Sequence, residues 1–329
     1  MSRIAILGAG AWGTALAVSL ARRGGHSISL WVHAREHAER MMETRINARY
    51  LPGAVLSADV CVTADLMQAV DGAEVVVFVV PSQHLREVVG MATSALNARQ
   101  VLLSAAKGVE ERTYLRMTQV LSEFAPENAV GVLSGPSFAQ EVAAGQPTAL
   151  VVGCHDPRGG AEDQKTVRRL QEEFTSETLR VYGNEDIIGV EMGGALKNVM
   201  ALASGVVTGL ELGSNAAAAL ITRGLAEMTR LSVACGGRQE TLAGLAGMGD
   251  LVLTCTGAMS RTRAVGVELG KGKELAEILA GLQGKVAEGV RTTSAALGLA
   301  ARYGVEMPIA EQMQAILFGG REPQEAIRE

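Results

Sequence analysis

The sequence predicts an α/β Rossmann-type N-terminal domain followed by an all-α C-terminal domain. Short Val/Ile/Leu runs alternate with helical patterns through the first half of the 329 residues. A glycine-rich turn joins the first apolar run to the first helical pattern, and strand signals almost vanish after about Asn184. Such alternation is typical of a doubly wound sheet. We therefore predict a dinucleotide-binding domain over residues 1–184 and a helical substrate and catalytic domain over residues 185–329.

The predicted strands of the first domain are mostly continuous apolar runs, as expected for parallel strands that helices cover on both faces. They span residues 3–7, 27–32, 75–80, 101–104, 130–133, 148–153 and 178–182, and the helical patterns between them span 14–23, 36–46, 83–96, 114–124 and 162–174. A long apolar pattern over residues 186–210 predicts the central, buried helix of the second domain.

The glycine-rich turn has the spacing Gly8-x-Gly10-x-x-Gly13 between a strand and a helix, which is the context that a dinucleotide-binding turn requires. Gly8 allows the tight turn, Gly10 lets the backbone approach a pyrophosphate, and Gly13 lets the helix pack closely. The helix that starts near Trp12 would direct free N–H groups at phosphates. The alternative is a purely structural turn in another α/β protein.

Composition excludes several classes of protein. A net charge of −5 argues against general nucleic-acid binding, and the absence of a long uninterrupted apolar run predicts no membrane span. The first residues lack the order of a secretory leader, so we expect a cytoplasmic protein. The four cysteines are widely spaced, which predicts reduced, mostly buried thiols and no zinc site.

The end of the second strand bears on the choice between NAD and NADP. NAD-specific domains usually carry an acid there for the ribose 2′-hydroxyl, but here no acid precedes Glu36. His33 and Arg35 stand where a 2′-phosphate could be accepted, so NADP or NAD is the expected cofactor. In the alternative interpretation, these two side chains are only solvated loop residues.

Lys197 is a candidate acid/base group. On a helix its neighbours would be small residues such as Gly193 and Gly205, which would leave room for a ligand beside the ammonium. Burial would lower the pKa of the ammonium toward the working pH. The alternative is a lysine that only snorkels at a helix seam. All five histidines lie in the first half of the chain, so a histidine cannot serve in the second.

Other candidates follow predicted strands or stand out by charge. Lys107 and the stretch 134–139 come after strands, at the edge where open α/β sheets bind ligands, and Pro136 predicts the start of a helix there. Asp250 is the sole acid between residues 241 and 258 and would need a partner such as a catalytic lysine. The stretch 260–263, Ser-Arg-Thr-Arg, suits a phosphate.

Together these motifs resemble the bacterial NAD(P)-dependent glycerol-3-phosphate dehydrogenase family along nearly the whole chain. The resemblance rests on eight separated segments in the family's order: 8–13, 50–52, 106–108, 134–139, 197–198, 245–250, 260–261 and 286–292. It implies reversible hydride transfer between NAD(P)H and dihydroxyacetone phosphate, which gives sn-glycerol 3-phosphate for phospholipid synthesis.

The resemblance also implies roles for individual residues. Lys197 matches the family's proton donor and acceptor. Residues that match its substrate contacts are Lys107, Gly135, Ser137, Lys197, Asp250, Ser260 and Arg261. Residues that match its cofactor contacts are Trp12, His33, Lys107, Ala139, Arg261, Val286 and Glu288. Two positions depart from the family's pattern. Thr262 stands where the family usually has an asparagine and would contact the substrate in its place. Ala34 stands where the family often has an arginine.

Two rival functions stay open at this point. A β-hydroxyacid or 6-phosphogluconate type dehydrogenase also joins a Rossmann domain to a helical one around a lysine, but acts on carboxylates. A nucleotide-sensing module would bind NAD(P) without turnover. Helices of the second domain that are rich in Met and Ala are compatible with a homodimer as well as with a closed core.

Overall fold

A computed structural model describes residues 2–282 and 287–327 of the chain. Contacts between Cα atoms divide it into two compact units. The first comprises the chain up to Ala106 together with Met117–Ile187, and the second comprises Lys107–Arg116 together with the chain from Ile188 onward. The predicted limits of the functional domains, 1–184 and 185–329, stay a prediction.

The first unit is built on one eight-stranded sheet, in the strand order β3-β2-β1-β4-β5-β6-β7-β8. The strands are β1 (Ser2–Leu7), β2 (His26–Trp31), β3 (Val60–Thr63), β4 (Val75–Phe78), β5 (Val101–Ser104), β6 (Ala129–Ser134), β7 (Thr148–His155) and β8 (Leu179–Gly183). Strands β1 to β6 are parallel, as predicted. Strand β7 runs antiparallel to β6 and parallel to β8. A run of apolar residues does not indicate the direction of its strand, so the sequence did not predict that β7 is antiparallel to β6.

Helices of the first unit follow the predicted patterns with small shifts at their ends. They are α1 (Ala11–Arg23), α2 (Arg35–Thr44), α3 (Leu66–Val70), α4 (Leu85–Ala92), α5 (Met117–Phe124), α6 (Ala139–Ala143) and α7 (Ala161–Phe174). Strand β3 and helix α3 were not predicted, because four or five residues are too few for a clear period. The edge strand β3 also carries Cys61, which is exposed rather than buried.

The second unit is helical, and no strand occurs after Gly183 in the part of the chain that the structure describes. Its helices are α8 (Ile187–Gly209), α9 (Gly213–Ala234), α10 (Gln239–Ala243), α11 (Asp250–Thr256), α12 (Arg261–Gly270), α13 (Leu275–Gly281), α14 (Glu288–Tyr303), α15 (Pro308–Phe318) and α16 (Pro323–Ala326). A π-helical turn, Leu245–Gly249, joins α10 to α11. Every residue of α8 from Gly189 to Val207 is buried, which confirms the predicted central helix.

Helix α8 packs through its glycines. A Cβ atom added at Gly205 would overlap the backbone of α12, where Gly266 faces it, and Gly209 meets Gly270 in the same way. A Cβ at Gly193 would lie 2.5 Å from the carbonyl oxygen of Ala246. The expectation that these small residues leave ligand space around Lys197 is therefore wrong where Gly193 and Gly205 are concerned, since neighbouring backbone fills that space.

Among the described residues, no helix combines the length and apolar character needed to cross a membrane. The four cysteines are free thiols, as expected. Cys154 and Cys255 are buried, whereas Cys235 is half-buried.

Candidate active site

The glycine turn of the first unit has the geometry that its spacing predicts. Gly8 lies at φ +123°, and a Cβ there would be 2.6 Å from the carbonyl oxygen of Val79. A Cβ on Gly13 would overlap the carbonyl oxygen of Gly8, so α1 can pack this closely only without a side chain. A Cβ on Gly10 would meet nothing within 4 Å. The turn is therefore closely packed at Gly8 and Gly13. It faces open space at Gly10, where a ligand would approach.

Two further observations fit a nucleotide at this turn. Gly10 is the N-cap of α1 and no side chain caps the helix, so first-turn N–H groups stay available for phosphate. The indole Nε1 of Trp12 is buried and has no hydrogen-bond partner among the residues described. Buried N–H groups are rarely left unpaired, so we expect a bound ligand to supply the acceptor for this one.

Asn47 braces the turn and was missed by sequence reasoning. Its fully buried amide donates to the carbonyl oxygen of Ala9 at 2.8 Å and to the Thr14 hydroxyl at 2.8 Å. Its own carbonyl oxygen accepts from the backbone N–H of Tyr50 at 3.2 Å. These bonds tie the turn to the loop that follows α2, and the only sequence signal for them was a single amide side chain in that loop.

His33, Ala34 and Arg35 are all exposed at the end of β2. The His33 imidazole stacks edge-on against the indole of Trp31, with ring centroids 5.6 Å apart. Arg35 begins α2 and lies 3.7 Å from Glu39. Both basic side chains thus stand in solvent where they are free to meet an anionic group.

After β6, Gly135 makes the turn at φ +124°, and the Ser137 hydroxyl donates to its carbonyl oxygen at 3.0 Å. The next helix, α6, begins at Ala139 with Phe138 as N-cap. The predicted helix start at Pro136 is therefore wrong by three residues, because the positive φ of Gly135 and an extended Phe138 delay the first helical turn.

In the second unit, the structure brings together three of the predicted residues. The Lys197 ammonium donates to Asp250 Oδ1 at 2.5 Å, and the Lys107 ammonium donates to Asp250 Oδ2 at 2.6 Å. The Asp250 side chain is 1% exposed, Lys197 8% and Lys107 17%. One buried carboxylate is therefore shared by two ammonium groups, and the cluster carries a net positive charge.

The π-helical turn places Asp250 at the first position of α11. Its signature bond runs from the N–H of Gly249 to the carbonyl oxygen of Gly244 at 3.1 Å. Gly247 sits against the backbone of Leu242, where a Cβ would overlap it. Turns of this kind are frequent at functional sites. Gly247 thus lets the chain bend tightly enough to carry the Asp250 carboxylate to Lys197.

Thr254 completes this cluster and was not predicted from the sequence. Its hydroxyl accepts from Lys197 Nζ at 2.7 Å and donates to the carbonyl oxygen of Asp250 at 2.6 Å. The sequence did carry a signal for it: Thr254 lies four residues after Asp250, and residues four apart on a helix share a face. Asn198 also contributes, since its amide donates to the carbonyl oxygen of Lys107 at 3.3 Å.

The pKa of Lys197 is lowered to about 8 by all its surroundings together, and burial is the largest of the causes. The Asp250 carboxylate opposes this and raises the pKa of the lysine, whereas the nearby Lys107 ammonium lowers it further. A lysine with such a pKa exists in both protonation states near neutral pH, as an acid/base group must.

The remaining candidates of the second unit lie at the starts of α12 and α14. The Ser260 hydroxyl caps α12 and accepts from the N–H of Arg263 at 3.2 Å. Arg261 is exposed and interacts electrostatically with Glu288, the first residue of α14. Thr262 is buried with its methyl group against Gly289. Val286, the other predicted cofactor contact, lies outside the described residues.

Two family models match the chain. The model of the NAD-dependent glycerol-3-phosphate dehydrogenase N-terminus matches residues 3–159, and that of the C-terminus matches residues 186–328. Curated relatives named glycerol-3-phosphate dehydrogenase (NAD(P)+) are similar over the whole chain. The one from Koribacter versatilis is 54% identical and covers 100% of this chain and 96% of its own. The one from Acidobacterium capsulatum is 55% identical, with 100% and 97% covered.

A solved structure is similar as well. The crystal structure of glycerol-3-phosphate dehydrogenase from Coxiella burnetii superimposes with a TM-score of 0.93 at 40% sequence identity. The match covers 99% of this chain and 98% of that one.

Proposed function

The chain belongs to the NAD-dependent glycerol-3-phosphate dehydrogenase family, and on this premise we propose that it interconverts dihydroxyacetone phosphate and sn-glycerol 3-phosphate with NAD(P)H. The observation that carries the proposal beyond the family name is the buried cluster of Lys197, Asp250 and Lys107. It supplies an acid of suitable strength beside fixed positive charge, which is what reduction of a ketone requires.

The glycine turn supports binding of the cofactor in the first unit. The open space at Gly10, the uncapped start of α1 and the unpaired Trp12 N–H all fit a dinucleotide. When bound, the reduced nicotinamide supplies the hydride. We assign to the cofactor Gly8, Gly10, Trp12, Gly13 and His33, and by the family resemblance Lys107, Ala139, Arg261, Val286 and Glu288. The exposed His33 and Arg35 fit NADP, and nothing at the turn argues against NAD.

We assign proton transfer to Lys197. Its ammonium has three N–H donors, and the described residues include acceptors for two of them, Asp250 and Thr254. The third is available to the carbonyl oxygen of the substrate. As the carbonyl carbon gains hydride, the oxygen becomes an alkoxide and takes this proton, which leaves neutral Lys197. Asp250 orients the lysine, and the Lys107 ammonium stabilises the negative charge on the oxygen.

The substrate phosphate requires donors and positive charge. Arg261, Ser260 and Thr262 at the start of α12 supply these, because a guanidinium and a helix N-terminus both favour a phosphate. We assign Gly135 and Ser137 to the substrate by the resemblance alone. The proposed product is a precursor of phospholipids, and we propose that the enzyme works in the cytoplasm as a homodimer, which sedimentation analysis would test.

The decisive experiment mixes the protein with dihydroxyacetone phosphate and NADH or NADPH and follows the near-ultraviolet absorbance of the reduced nicotinamide. We expect turnover, and we expect Lys197→Ala to lose at least about a hundredfold in kcat while it still binds NADPH. Lys165→Ala is the matched control, because that lysine makes only an exposed ion pair.

Binding without turnover would support a sensor, and turnover only with hydroxy- or keto-acids would support a carboxylate-specific dehydrogenase. Either result overturns the proposed reaction. Turnover near wild type in Lys197→Ala would overturn the assignment of the acid alone.

A further inference from the structure

The segment Lys107–Arg116 belongs to the second unit, although the chain on both sides of it belongs to the first. An antiparallel bridge pairs Val109 with Arg116, and the N–H of Glu110 donates to the carbonyl oxygen of Leu115 at 3.0 Å. Val109 is fully buried in the core of the second unit. The segment is thus a closed loop with its own anchor, and Lys107 stands at its start.

Tyr114, near the other end of this loop, has an unusual backbone. It lies at φ +60°, in the left-handed region that bulky residues avoid. The ring lies against Gly298 of α14, where an added Cβ would overlap it. The guanidinium of Arg302, one helical turn later, lies 4.5 Å from the ring centroid. Stacking of this kind is favourable and the left-handed conformation is costly, so the packing holds the residue in place.

Two further contacts tie the loop to α8. Arg116 forms an ion pair with Glu191, a buried carboxylate. At the start of the loop, the Asn198 amide donates to the carbonyl oxygen of Lys107. The loop is therefore held at both ends by helices of the second unit, and it carries the Lys107 ammonium that contacts Asp250.

We propose that Tyr114 is a positioning residue for Lys107: its ring, packed on Gly298, fixes the loop 107–116 so that the Lys107 ammonium stays on Asp250. The proposal deepens the proposed function, because it names the packing that sustains one member of the acid/base cluster. Tyr114 itself acts only through the loop.

The position of the Lys107 ammonium can be measured through the pKa of Lys197, because that pKa depends on the charged groups nearby. The charged groups that act on it are Asp250 on α11, which raises its pKa, and Lys107 on the loop, which lowers it. Cys255 on α11 is a neutral thiol, since burial raises its own pKa to about 12. If the Lys107 ammonium moves away, the pKa of Lys197 rises.

The test uses the full-length protein and two perturbing variants, Tyr114→Ala and Gly298→Ala. The second forces the ring aside without weakening α14, because alanine is the better helix former. Tyr114→Phe keeps the ring, and Gly281→Ala adds a Cβ at a helical glycine in open space; both serve as controls. Lys107→Ala, alone and combined with Tyr114→Ala, gives the reference for a lost ammonium.

The primary readout needs no substrate: acetic anhydride modifies Lys197 only when it is neutral, and mass spectrometry gives the rate of modification at each pH. We expect Tyr114→Ala and Gly298→Ala to raise the midpoint by about one pH unit and both controls to leave it unchanged. In the Lys107→Ala background, Tyr114→Ala should add nothing. The value of kcat should fall at least about tenfold in the perturbing variants.

An unmoved midpoint in both perturbing variants would overturn the inference, as would a further shift caused by Tyr114→Ala when Lys107 is already absent. If the wild-type protein fails to reduce dihydroxyacetone phosphate but the variants show the expected shifts in the midpoint, the proposed function is refuted and the positioning role is supported.

Discussion

Asp250→Asn is the most informative single substitution, because this carboxylate contacts both ammonium groups at 2.5 and 2.6 Å. The amide keeps the size of the side chain and removes its charge. Opposite charges at such range shift a pKa by about 1–3 units. We therefore expect the pKa of Lys197, about 8 in the wild type, to fall to about 5–7 in the variant.

The consequence for the rate follows from the protonated fraction. At pH 7 a lysine of pKa about 8 is roughly 90% protonated, whereas one of pKa about 5–7 is roughly 1–50% protonated. Loss of the acid form alone then lowers kcat for ketone reduction about 2- to 90-fold. The buried Lys197 and the half-buried Lys107 also lose their charged partner, which lowers the free energy of unfolding by about 3–5 kcal/mol.

The assay measures kcat for reduction across the acid and mildly alkaline range, together with the urea midpoint. We expect the alkaline limb of the profile to move to lower pH, and acid conditions to restore part of the activity. Asp71→Asn, at an exposed carboxylate, is the control and should change neither quantity. A limb that stays near pH 8, or moves upward, would refute the role of Asp250 in setting the acidity of Lys197.

Four further predictions concern the glycine turn and the direction of the reaction. Gly10→Ala should leave the unfolding temperature unchanged and raise the KM for NADPH about tenfold, because its Cβ meets nothing in the protein and would occupy cofactor space. Gly13→Ala should instead lower the free energy of unfolding by about 1–3 kcal/mol, since its Cβ overlaps backbone; equal effects of the two on calorimetry would contradict this. Asn47→Ala, which removes two buried donors, should destabilise the protein by about 1–3 kcal/mol and raise the KM for NADPH with little change in kcat. A fall in kcat at constant KM would argue against a brace for the turn. Oxidation of glycerol 3-phosphate needs neutral Lys197, so its kcat should rise with pH through about 8 while kcat for reduction falls, and two profiles with the same slope there would exclude one shared group.

The order of strands and helices in the first unit was largely predictable, because most of these elements have an apolar period long enough to be recognised. Strand β3 was too short, and the reversed direction of β7 leaves no trace in a run of apolar residues. The helix start after β6 was misplaced because Pro136 fits a first helical position, whereas the φ of Gly135 decides where the turn ends.

The members of the acid/base cluster were individually visible, but their meeting was not. Lys107 and Asp250 are 143 positions apart, and no period links them. The π-helical turn that delivers Asp250 depends on close packing against α8, which a linear pattern does not encode. Asn47 and Thr254 are uncharged, and their hydrogen bonds to distant partners are what show their part in the site.

Residues 107–116 belong to the second unit although the sequence on both sides of them belongs to the first, and this limits how the protein can be cut into fragments. A cut near residue 185 separates two stretches of sequence, but it leaves the second stretch without the loop that its own core buries. A fragment from Ile188 onward would expose the pocket of Val109 and leave Asp250 with only one of its two cationic partners. A chimaera that joins this stretch to a relative's first half inherits a foreign Lys107 loop. Such hybrids should function only when the loop and α14 come from the same parent.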